Sequence, residues 1–581
     1  MSRTIRVLSF AASALLALAL PAVSGAKHSS AGGQGASHAG RGNARQQPPR
    51  RPLPAPQRPA PAPPAAGATY SITGVGNNLA NPSWGAVGVD LLRRAPSAYA
   101  DGRSAAAGAS RPSARMLSNA LSTQSAALAN GRQMSDFLYV FGQFLDHDIG
   151  LTTSGSSESM AVAVPRGDQF FDPAATGTKQ IPFTRSTFNP ATGAGNARQQ
   201  TNVITAFVDG SQVYGSDATR AAALRTFSGG KLKTSAGNMM PLNSGGLANA
   251  NDAHVVADSR LFLGGDVRAN ENVELTSLQT LFVREHNRQA AAIAANNPSL
   301  SDEQIYQQAR RIVIGELQAI TYNEFLPALL GRGAVPGYRG YQPRVNPGIA
   351  NEFSTAAFRF GHSMLDGEIG RLNDDGSDTP QGPIALRNAF FNPTVFDASL
   401  PNHQGDIDPF LKSAASGTTQ EVDLKIVDDV RNFLFGPPGS GGFDLAALNI
   451  QRGRDHGLAD YNTVRAAYGL QRVTSFAQIS SNPATVAALQ AAYGSVSNVD
   501  LWVGGLAEDH TVRGSLGPLF TRIVADQFAR LRDGDRFYYE NSLRGPQLEQ
   551  VRQITLSRVI RANTSLTRMQ PNVFFSNGAG S

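Results

Sequence analysis

Residues 141–148 read Phe-Gly-Gln-Phe-Leu-Asp-His-Asp and concentrate four polar side chains in an otherwise apolar segment. The apolar density from Met134 onward, the lack of proline and the glycine at position 150 predict a helix over 134–148. On such a helix Gln143 and His147 are four residues apart and share one face.

Two carboxylates flank that histidine, Asp146 on one side and Asp148 on the other. Buried carboxylates are costly unless they are paired, bound to a metal or covalently consumed. A purely structural helix would have to satisfy an amide, an imidazole and two carboxylates within about one turn. The segment therefore indicates a functional site, with the structural alternative left open.

Other segments favour helices as well. Apolar residues at helical spacing predict a helix that ends near Ala295, and Ser301-Asp-Glu-Gln304 is a capping-box start for the next one, with Pro327 as its stop. A further helix is expected over 353–364. No stretch alternates apolar and polar residues, so strands should be few. The predicted fold class is mainly α, a single large helical domain with very little β-sheet.

The formal charge of +7 over 581 residues is unevenly distributed. The first 68 residues hold eight basic and no acidic side chains, so the remainder of the chain has a net charge of −1. The basic character therefore belongs to the N-terminal segment and does not indicate a nucleic-acid partner.

That segment divides into two parts. Arg3 and Arg6 precede an apolar run, and small residues up to Ala26 suit cleavage, so 1–26 is predicted to be a signal peptide. The run is shorter than the ~20 residues of a membrane span, although an uncleaved anchor is the alternative. Residues 27–68, rich in Pro, Gly and Arg, are predicted to be a disordered spacer, or a ligand for a proline-binding module. Residues 69–581 are predicted to form the catalytic domain.

The chain has no cysteine, which excludes disulfide frameworks, iron–sulfur clusters, thiolate zinc sites and thiol catalysis. No other stretch is long and apolar enough to span a membrane, so we expect an exported protein that is secreted, extracellular or periplasmic. A large body does not need disulfides after export.

Four other groups of polar residues could form functional sites, and each could instead have a purely structural role. Oxygen donors on alternate residues over 205–211 are calcium-type ligands or an ordinary turn. Arg268 and Glu271 are spaced as a solvated ion pair, and His362 beside Gly361 suits an axial metal ligand or a core histidine. The polar residues over 449–457 indicate an anion or hydrogen-bond network, or else a salt-bridge cluster at a helix end. The residues in these groups are Thr205, Phe207, Asp209, Ser211, Arg268, Glu271, Arg359, His362, Asn449 and Arg452.

Taken together and in this order, the motifs resemble the animal-type haem peroxidases, which include myeloperoxidase, lactoperoxidase and peroxidasin. The resemblance covers about 70–572. Its most specific elements are Gln-x-x-Asp-His-Asp, Thr-x-Phe-x-Asp-x-Ser, Leu-Phe-Val-Arg-Glu-His-Asn over 281–287, Phe-Arg-Phe-Gly-His over 358–362 and Leu-Asn-Ile-Gln-Arg over 448–452.

The resemblance implies roles for the catalytic residues. It makes His147 the distal acid–base group, Arg268 the distal arginine and Gln143 the glutamine that holds water or a small anion. It makes His362 the proximal ligand of the haem iron. The residues implied to bind the cofactor are Asp146, Glu271, Arg359, Asn449 (accepting a hydrogen bond from the proximal imidazole) and Arg452 (paired with a propionate).

It also implies that Asp146 and Glu271 form ester links to a haem b-derived cofactor. Asn272 stands where myeloperoxidase has a methionine, so the third, sulfonium link should be absent. The implied calcium ligands are Asp148, Thr205, Phe207 through its carbonyl, Asp209 and Ser211. His286 and His456 lie inside family motifs but are expected to be structural.

The resemblance predicts a secreted haem peroxidase that reduces hydrogen peroxide and oxidises bromide, iodide, thiocyanate or phenols. Chloride is a less favoured donor without the sulfonium link. The alternatives are a fatty-acid dioxygenase of the same superfamily, an extracellular structural or adhesive haem protein, and a non-haem Asp-His-Asp metallohydrolase. No nucleic acid and no membrane span after signal cleavage are expected, and the oligomeric state is not predicted.

Overall fold

The computed structural model of the chain describes Pro64, residues 67–400 and residues 403–576. The predicted signal peptide over 1–26 and nearly all of the predicted spacer over 27–68 lie outside the described residues. The described residues belong to one compact unit. The boundary of the catalytic domain at residue 69 stays a prediction.

Helices dominate the described residues, and the strands are short, so the prediction of a mainly α fold with very little sheet is confirmed. The α-helices are α1 (Ala114–Leu117), α2 (Phe137–Ile149), α3 (Ser211–Tyr214), α4 (Ala218–Leu224), α5 (Val273–Asn296), α6 (Asp302–Ile320), α7 (Leu326–Leu330), α8 (Asn351–Thr355), α9 (Asp408–Ser416), α10 (Asp428–Arg431), α11 (Leu445–Asp455), α12 (Tyr461–Ala467), α13 (Pro483–Tyr493), α14 (Leu501–Ala507), α15 (Pro518–Asp533), α16 (Tyr539–Ser542), α17 (Gly545–Arg552) and α18 (Leu556–Asn563).

The strands form four antiparallel pairs in the part of the chain that the structure describes. The pairs are β1 (Val89–Asp90) with β6 (Thr201–Asn202), β2 (Ser154–Ser159) with β5 (Thr184–Ser186), β3 (Val162–Ala163) with β4 (Gln180–Ile181), and β7 (Glu368–Ile369) with β8 (Ile384–Ala385). None of these strands is longer than six residues.

Helix α2 carries the motif at 141–148 through the centre of the core. Phe141 and Phe144 are fully buried, and burying a phenylalanine contributes about 2 kcal/mol. The helix begins three residues later than predicted because the backbone of Met134 pairs with Phe575 instead. Such long-range pairing is not visible in local sequence.

Helix α5 packs along α2 and is the longest helix among the described residues. The rings of Phe144 and Phe282 stack with their centroids 5.2 Å apart, which fixes the two helices side by side. Asn272 caps α5, because its side chain accepts a hydrogen bond from the backbone N–H of Leu275. The residues just before α5 are thereby held against α2.

The capping box predicted at the start of α6 is confirmed, with Ser301 and Gln304 exchanging hydrogen bonds. The prediction that Pro327 ends this helix is wrong. The chain continues through a π turn at Thr321–Phe325 into α7, and the helical run ends at Leu330, with Gly331 as its C-cap. Proline is tolerated because it occupies the first turn of α7, where a backbone N–H has no intrahelical partner.

The helix expected over 353–364 is broken in the structure. Helix α8 ends at Thr355, and Ala357–Ser363 forms a 3₁₀ helix after a non-helical residue at Ala356. Side chains three residues apart lie above one another in a 3₁₀ helix, so Arg359 and His362 face the same side. The break therefore aims both side chains at one place.

No helix within residues 67–400 and 403–576 is both long and apolar enough to cross a membrane.

Candidate active site

A cavity of about 420 Å³ opens between α2, the segment before α5, the Ala357–Ser363 turn and α11. It gathers residues that lie as far apart in the sequence as Tyr139 and Arg452. The predicted catalytic and cofactor-binding residues that line it are Gln143, Asp146, His147, Arg268, Glu271, Arg359, His362, Asn449 and Arg452. All nine of these predicted residues therefore meet at one place.

His147 is buried between two carboxylates. Its Nε2 lies 3.4 Å from Oε2 of Glu271, and its Nδ1 lies 3.9 Å from Oδ1 of Asp266. Among the described residues Nδ1 has no hydrogen-bond partner. The ring therefore lies between the two carboxylates, with Nε2 on the side of Glu271, which lines the cavity.

Arg268 is fixed by a carboxylate that the sequence did not single out. Its Nε and Nη2 bind the two carboxylate oxygens of Asp266 at 2.8 and 3.0 Å. Its Nη1 reaches Oδ2 of Asp146 at 3.3 Å. Burial opposes the charge of the guanidinium, but these carboxylates more than offset it and raise the pKa of Arg268. Arg268 is therefore a permanent, oriented positive charge.

Asp266 is buried, and burial acts to raise the pKa of this carboxyl. The charge and hydrogen bonds of Arg268 outweigh burial and lower the pKa instead. Asp266 stays ionised, so it orients Arg268 and stands behind His147. The Asp-x-Arg spacing is a sequence signal for the Asp266–Arg268 pair. The contact between Asp266 and His147 on α2 cannot be predicted from local sequence.

Gln143 is oriented by the residue that caps α5. Nδ2 of Asn272 donates to Oε1 of Gln143 across 2.8 Å. The amide nitrogen of Gln143 is consequently the group that remains to face the cavity, one turn before His147. Asn272 thus both caps α5 and orients Gln143.

Asp146 and Glu271 line the cavity with their side chains 32% and 28% exposed. Burial raises the pKa of Asp146, and the charge of Arg268 opposes that shift. Burial also acts to raise the pKa of Glu271, but the hydrogen bond and charge of His147 prevail and lower it. Both carboxylates present oxygen atoms to a ligand in the cavity.

On the opposite wall, Asn449 contacts the second histidine. Its Nδ2 lies 2.7 Å from Nδ1 of His362, and its Oδ1 accepts from Nη1 of Arg359 at 3.2 Å. Burial, followed by the charge of Arg359, lowers the pKa of His362 to about 3. The ring is therefore neutral, and its Nε2 has no hydrogen-bond partner among the described residues.

The orientation of Asn449 differs from the expectation. The resemblance implied that Asn449 accepts a hydrogen bond from the imidazole, whereas its amide nitrogen faces the ring. Arg359 explains the difference, because its guanidinium takes the amide oxygen. Turning the amide by 180° would exchange the two atoms and leave the ring where it is.

Arg359 and Arg452 place two cations on this wall. Burial lowers the pKa of Arg359 to about 10, and no carboxylate among the described residues lies within ion-pair distance of it. Arg452 donates to Asp455 at 3.0 Å and to Ser186 at 2.8 Å. The wall is therefore complementary to an anionic group that enters the cavity.

The predicted calcium residues meet behind α2. Ser211 donates from its backbone N–H to Oδ1 of Asp148 at 2.6 Å, and Thr205 donates to Oδ1 of Asp209 at 3.0 Å. Oδ2 of Asp209 is buried without a partner among the described residues. Phe207 lies between them in the same loop.

The two carboxylates of this group repel each other. Burial and then the charge of Asp209 raise the pKa of Asp148 well above its usual range, and burial raises the pKa of Asp209 to about 7. A bound cation would relieve that cost. No group of three or more His, Asp or Glu side chains among the described residues could hold a metal, so hydroxyl and carbonyl oxygens would have to complete the site.

The two histidines assigned structural roles have partners on both nitrogens. His286 contacts the hydroxyl of Tyr214 at 3.0 Å and the carbonyl of Gly230 at 2.8 Å. His456 contacts Asn351 and Ser186, each at 2.8 Å. Neither ring lines the cavity described above.

Sequence reasoning missed other residues on the cavity wall. Tyr139 and Glu274 lie one turn from Gln143 and Glu271, a spacing that could have indicated them. Phe391 and Phe435 also line the cavity, both with positive φ, and their rings are 5.5 Å apart. Their backbone strain has no local sequence signal.

Known proteins share sequence similarity with nearly the whole of the described chain. The animal haem peroxidase family model matches residues 69–574. Peroxinectin A of Dictyostelium discoideum is 36% identical over 521 residues, which are 87% of this chain and 95% of that protein. Thyroid peroxidase of Rattus norvegicus is 35% identical over 557 residues, but the chain spans only 60% of its length.

Solved structures are also similar to this chain. Peroxidase A from Dictyostelium discoideum superposes with a TM-score of 0.81 at 34% identity, covering 88% of this chain and 100% of the other. A fatty acid alpha-dioxygenase from Oryza sativa has a TM-score of 0.73 at 19% identity, covering 89% and 90%. The latter likeness shows the fold alone.

Proposed function

This chain belongs to the animal haem peroxidase family and is an oxidoreductase that acts on peroxide, and from that premise we propose that its cavity binds haem between His147 and His362. The observation that carries the proposal is the convergence of both histidines on one cavity. They come from α2 and from the Ala357–Ser363 turn, and both line the cavity.

The residues present fit haem on both walls. His362 offers a neutral imidazole nitrogen for the iron, and Arg359 lacks a carboxylate partner among the described residues, which suits a propionate. Arg452 would hold the other propionate. When bound, haem supplies an iron that accepts electrons from donors and passes them to peroxide.

On the distal side the side chains handle protons and charge. His147 takes a proton from one oxygen of hydrogen peroxide and returns it to the other oxygen as the O–O bond breaks. Arg268, fixed by Asp266, stabilises the negative charge that develops on the leaving oxygen. Gln143 orients water or the peroxide through its free amide nitrogen.

On the proximal side Asn449 tunes His362. We propose that its amide turns so that the oxygen accepts from Nδ1 of His362, with Arg359 moving to a propionate. A hydrogen bond accepted from the imidazole makes the ring a stronger donor to iron. The contact of 2.7 Å already places the two groups within reach.

We further propose ester links from Asp146 and Glu271 to haem. An ester carries no charge, so it would remove the cost of enclosing these two carboxylates when haem fills the cavity. The sulfonium link would be absent, because Asn272 occupies that position and its amide is used by Gln143. Chloride should then be a poor donor.

After peroxide turnover, haem should resist extraction with acidified acetone in the wild type. Asp146→Val combined with Glu271→Gln should release it, because neither replacement can form an ester. Each single variant keeps one link and serves as the matched control. Equal resistance in the double variant would contradict the ester assignment.

We propose that Asp148, Thr205, Phe207, Asp209 and Ser211 bind calcium. Asp148 follows His147 directly, so the ion would pin the distal end of α2. Two carboxylates with hydroxyl and carbonyl oxygens suit a hard cation. Elemental analysis should find stoichiometric calcium, and Asp209→Asn should lose it and melt at a lower temperature; equal calcium in that variant would contradict the site.

The proposed donors are bromide, iodide, thiocyanate and phenols. With hydrogen peroxide, the haem-loaded enzyme should oxidise these donors in steady state and oxidise chloride much more slowly. Oxidation of none of them would overturn the proposed donor class. The dioxygenase alternative has only the shared fold in its favour, since the more similar relatives are peroxidases.

We propose that the protein is secreted. The support is the signal-peptide pattern of residues 1–26, in which Arg3 and Arg6 precede an apolar run and small residues lead up to Ala26. Mass spectrometry of the exported protein should find an N-terminus after residue 26, and a retained leader in the exported protein would contradict the cleavage.

A further inference from the structure

A buried tyrosine and a buried glutamate face each other on the cavity wall, outside the residues assigned so far. Tyr139 lies on α2 one turn before Gln143, and Glu274 lies at the start of α5 one turn after Glu271. The hydroxyl of Tyr139 donates to Oε2 of Glu274 across 2.8 Å. Among the described residues Tyr139 is the only tyrosine that lines this cavity.

The pair lies close to the proximal histidine. A Cβ placed on Gly361 would be 3.6 Å from Cβ of Tyr139, so the turn that carries His362 packs directly against this part of α2. Tyr139 is 8% exposed and Glu274 is 3% exposed. The phenol therefore sits beside the proposed haem site and is shielded from water.

Ionisation of the phenol alone is strongly disfavoured. Burial, followed by the charges of Asp136 and Glu274, raises the pKa of Tyr139 well above its usual range. Glu274 has no cationic partner within ion-pair distance among the described residues. An electron can leave Tyr139 at low electrostatic cost only if the proton leaves with it, and Oε2 of Glu274 is the acceptor in contact.

We propose that Tyr139 is a redox-active residue, oxidised by one electron during peroxide turnover while Glu274 takes its proton. The inference rests on the proposed function, because hydrogen peroxide reduced at the haem is the oxidant. It adds a protein-based site of oxidation to the enzyme. One-electron donors such as phenols are the substrates that this site serves.

The step balances as follows. One electron passes from the phenol of Tyr139 to the haem group, the O–H bond breaks, and the proton joins the carboxylate of Glu274. The products are a neutral phenoxyl radical and a neutral carboxylic acid. A phenolic donor restores Tyr139 by giving one electron, while Tyr139 takes its proton back from Glu274. The proton that the donor loses is one of those consumed when peroxide is reduced to water. Reduction of one hydrogen peroxide to two waters consumes two electrons and two protons in total.

The chain provides a matched control. Tyr461 is also buried and donates to a glutamate, Glu508, at 2.7 Å. This pair lies outside the cavity and has a cation, Arg465, bound to the same carboxylate. A Tyr→Phe change there removes the same atom from a similar environment without touching the proposed redox site.

The test is electron paramagnetic resonance of the haem-loaded enzyme, frozen milliseconds after mixing with hydrogen peroxide. Burial raises the pKa of Glu274 to about 8, so the reaction is run at about pH 9, where the acceptor is a carboxylate. The wild type and Tyr461→Phe should show a tyrosyl radical that narrows when the protein contains ring-deuterated tyrosine. Tyr139→Phe should lose it, and Glu274→Gln should lose most of it.

Haem content and the optical response to peroxide are recorded on the same samples. A protein without haem, or without an optical response, would defeat the proposed function. Normal haem and a normal optical response with no tyrosyl radical, or with a radical that persists in Tyr139→Phe, would overturn the assignment of Tyr139 alone. A radical at full yield in Glu274→Gln would overturn the role of Glu274.

Discussion

Replacing His147 with glutamine should slow the reaction with hydrogen peroxide by a factor of about 10²–10⁴, the usual contribution of a positioned acid–base group. Glutamine keeps a polar side chain of similar reach but cannot exchange a proton at neutral pH. The carboxylates of Glu271 and Asp266 remain to hold it. Stopped-flow absorbance at the haem band measures the rate.

The matched control is His510→Gln. His510 is half-buried, contacts the carbonyl of Val422 at 2.7 Å, and does not line the cavity. This variant should react with peroxide at the wild-type rate. A wild-type rate in His147→Gln, with normal haem content, would contradict the acid–base role.

Replacing His362 with alanine should remove most of the haem, or leave it without its axial ligand. The side chain is the only neutral imidazole among the described residues on the Asn449 wall of the cavity, and the alanine methyl offers no donor to iron. Size-exclusion chromatography and the ratio of haem to protein absorbance measure the loss.

Because such a variant could simply misfold, a rescue separates the two explanations. Free imidazole added to His362→Ala fits the space of the deleted ring and should restore the spectrum of a histidine-ligated haem. A variant that binds haem with an unchanged spectrum and unchanged peroxide rate would refute the role of His362 outright.

Much of the candidate site could be predicted from the sequence, because several of its motifs lie within a single helical turn. Gln143 and His147 share a helix face by spacing alone, and α2 forms as the apolar pattern predicts. The orientation of those side chains depends on partners from elsewhere in the chain. Asn272 holds Gln143, and Asp266 holds Arg268, through contacts that no local pattern reveals.

Backbone geometry set another limit. Helical periodicity over 353–364 predicted a continuous helix, but the break at Ala356 converts the second half to a 3₁₀ helix. That change places Arg359 beside Asn449 and so determines which amide atom faces His362. The sequence also predicts a helix stop at Pro327. In the structure this proline lies in the first turn of α7, a position that local sequence does not reveal.

The optical spectrum of the purified chain, taken before and after one equivalent of hydrogen peroxide, tests the central claim most directly. A cavity that holds haem between His147 and His362 should give a ferric Soret band that shifts on adding peroxide and returns when a donor is added. A colourless protein that carries stoichiometric zinc or manganese, or a Soret band that does not respond to peroxide, would contradict the account.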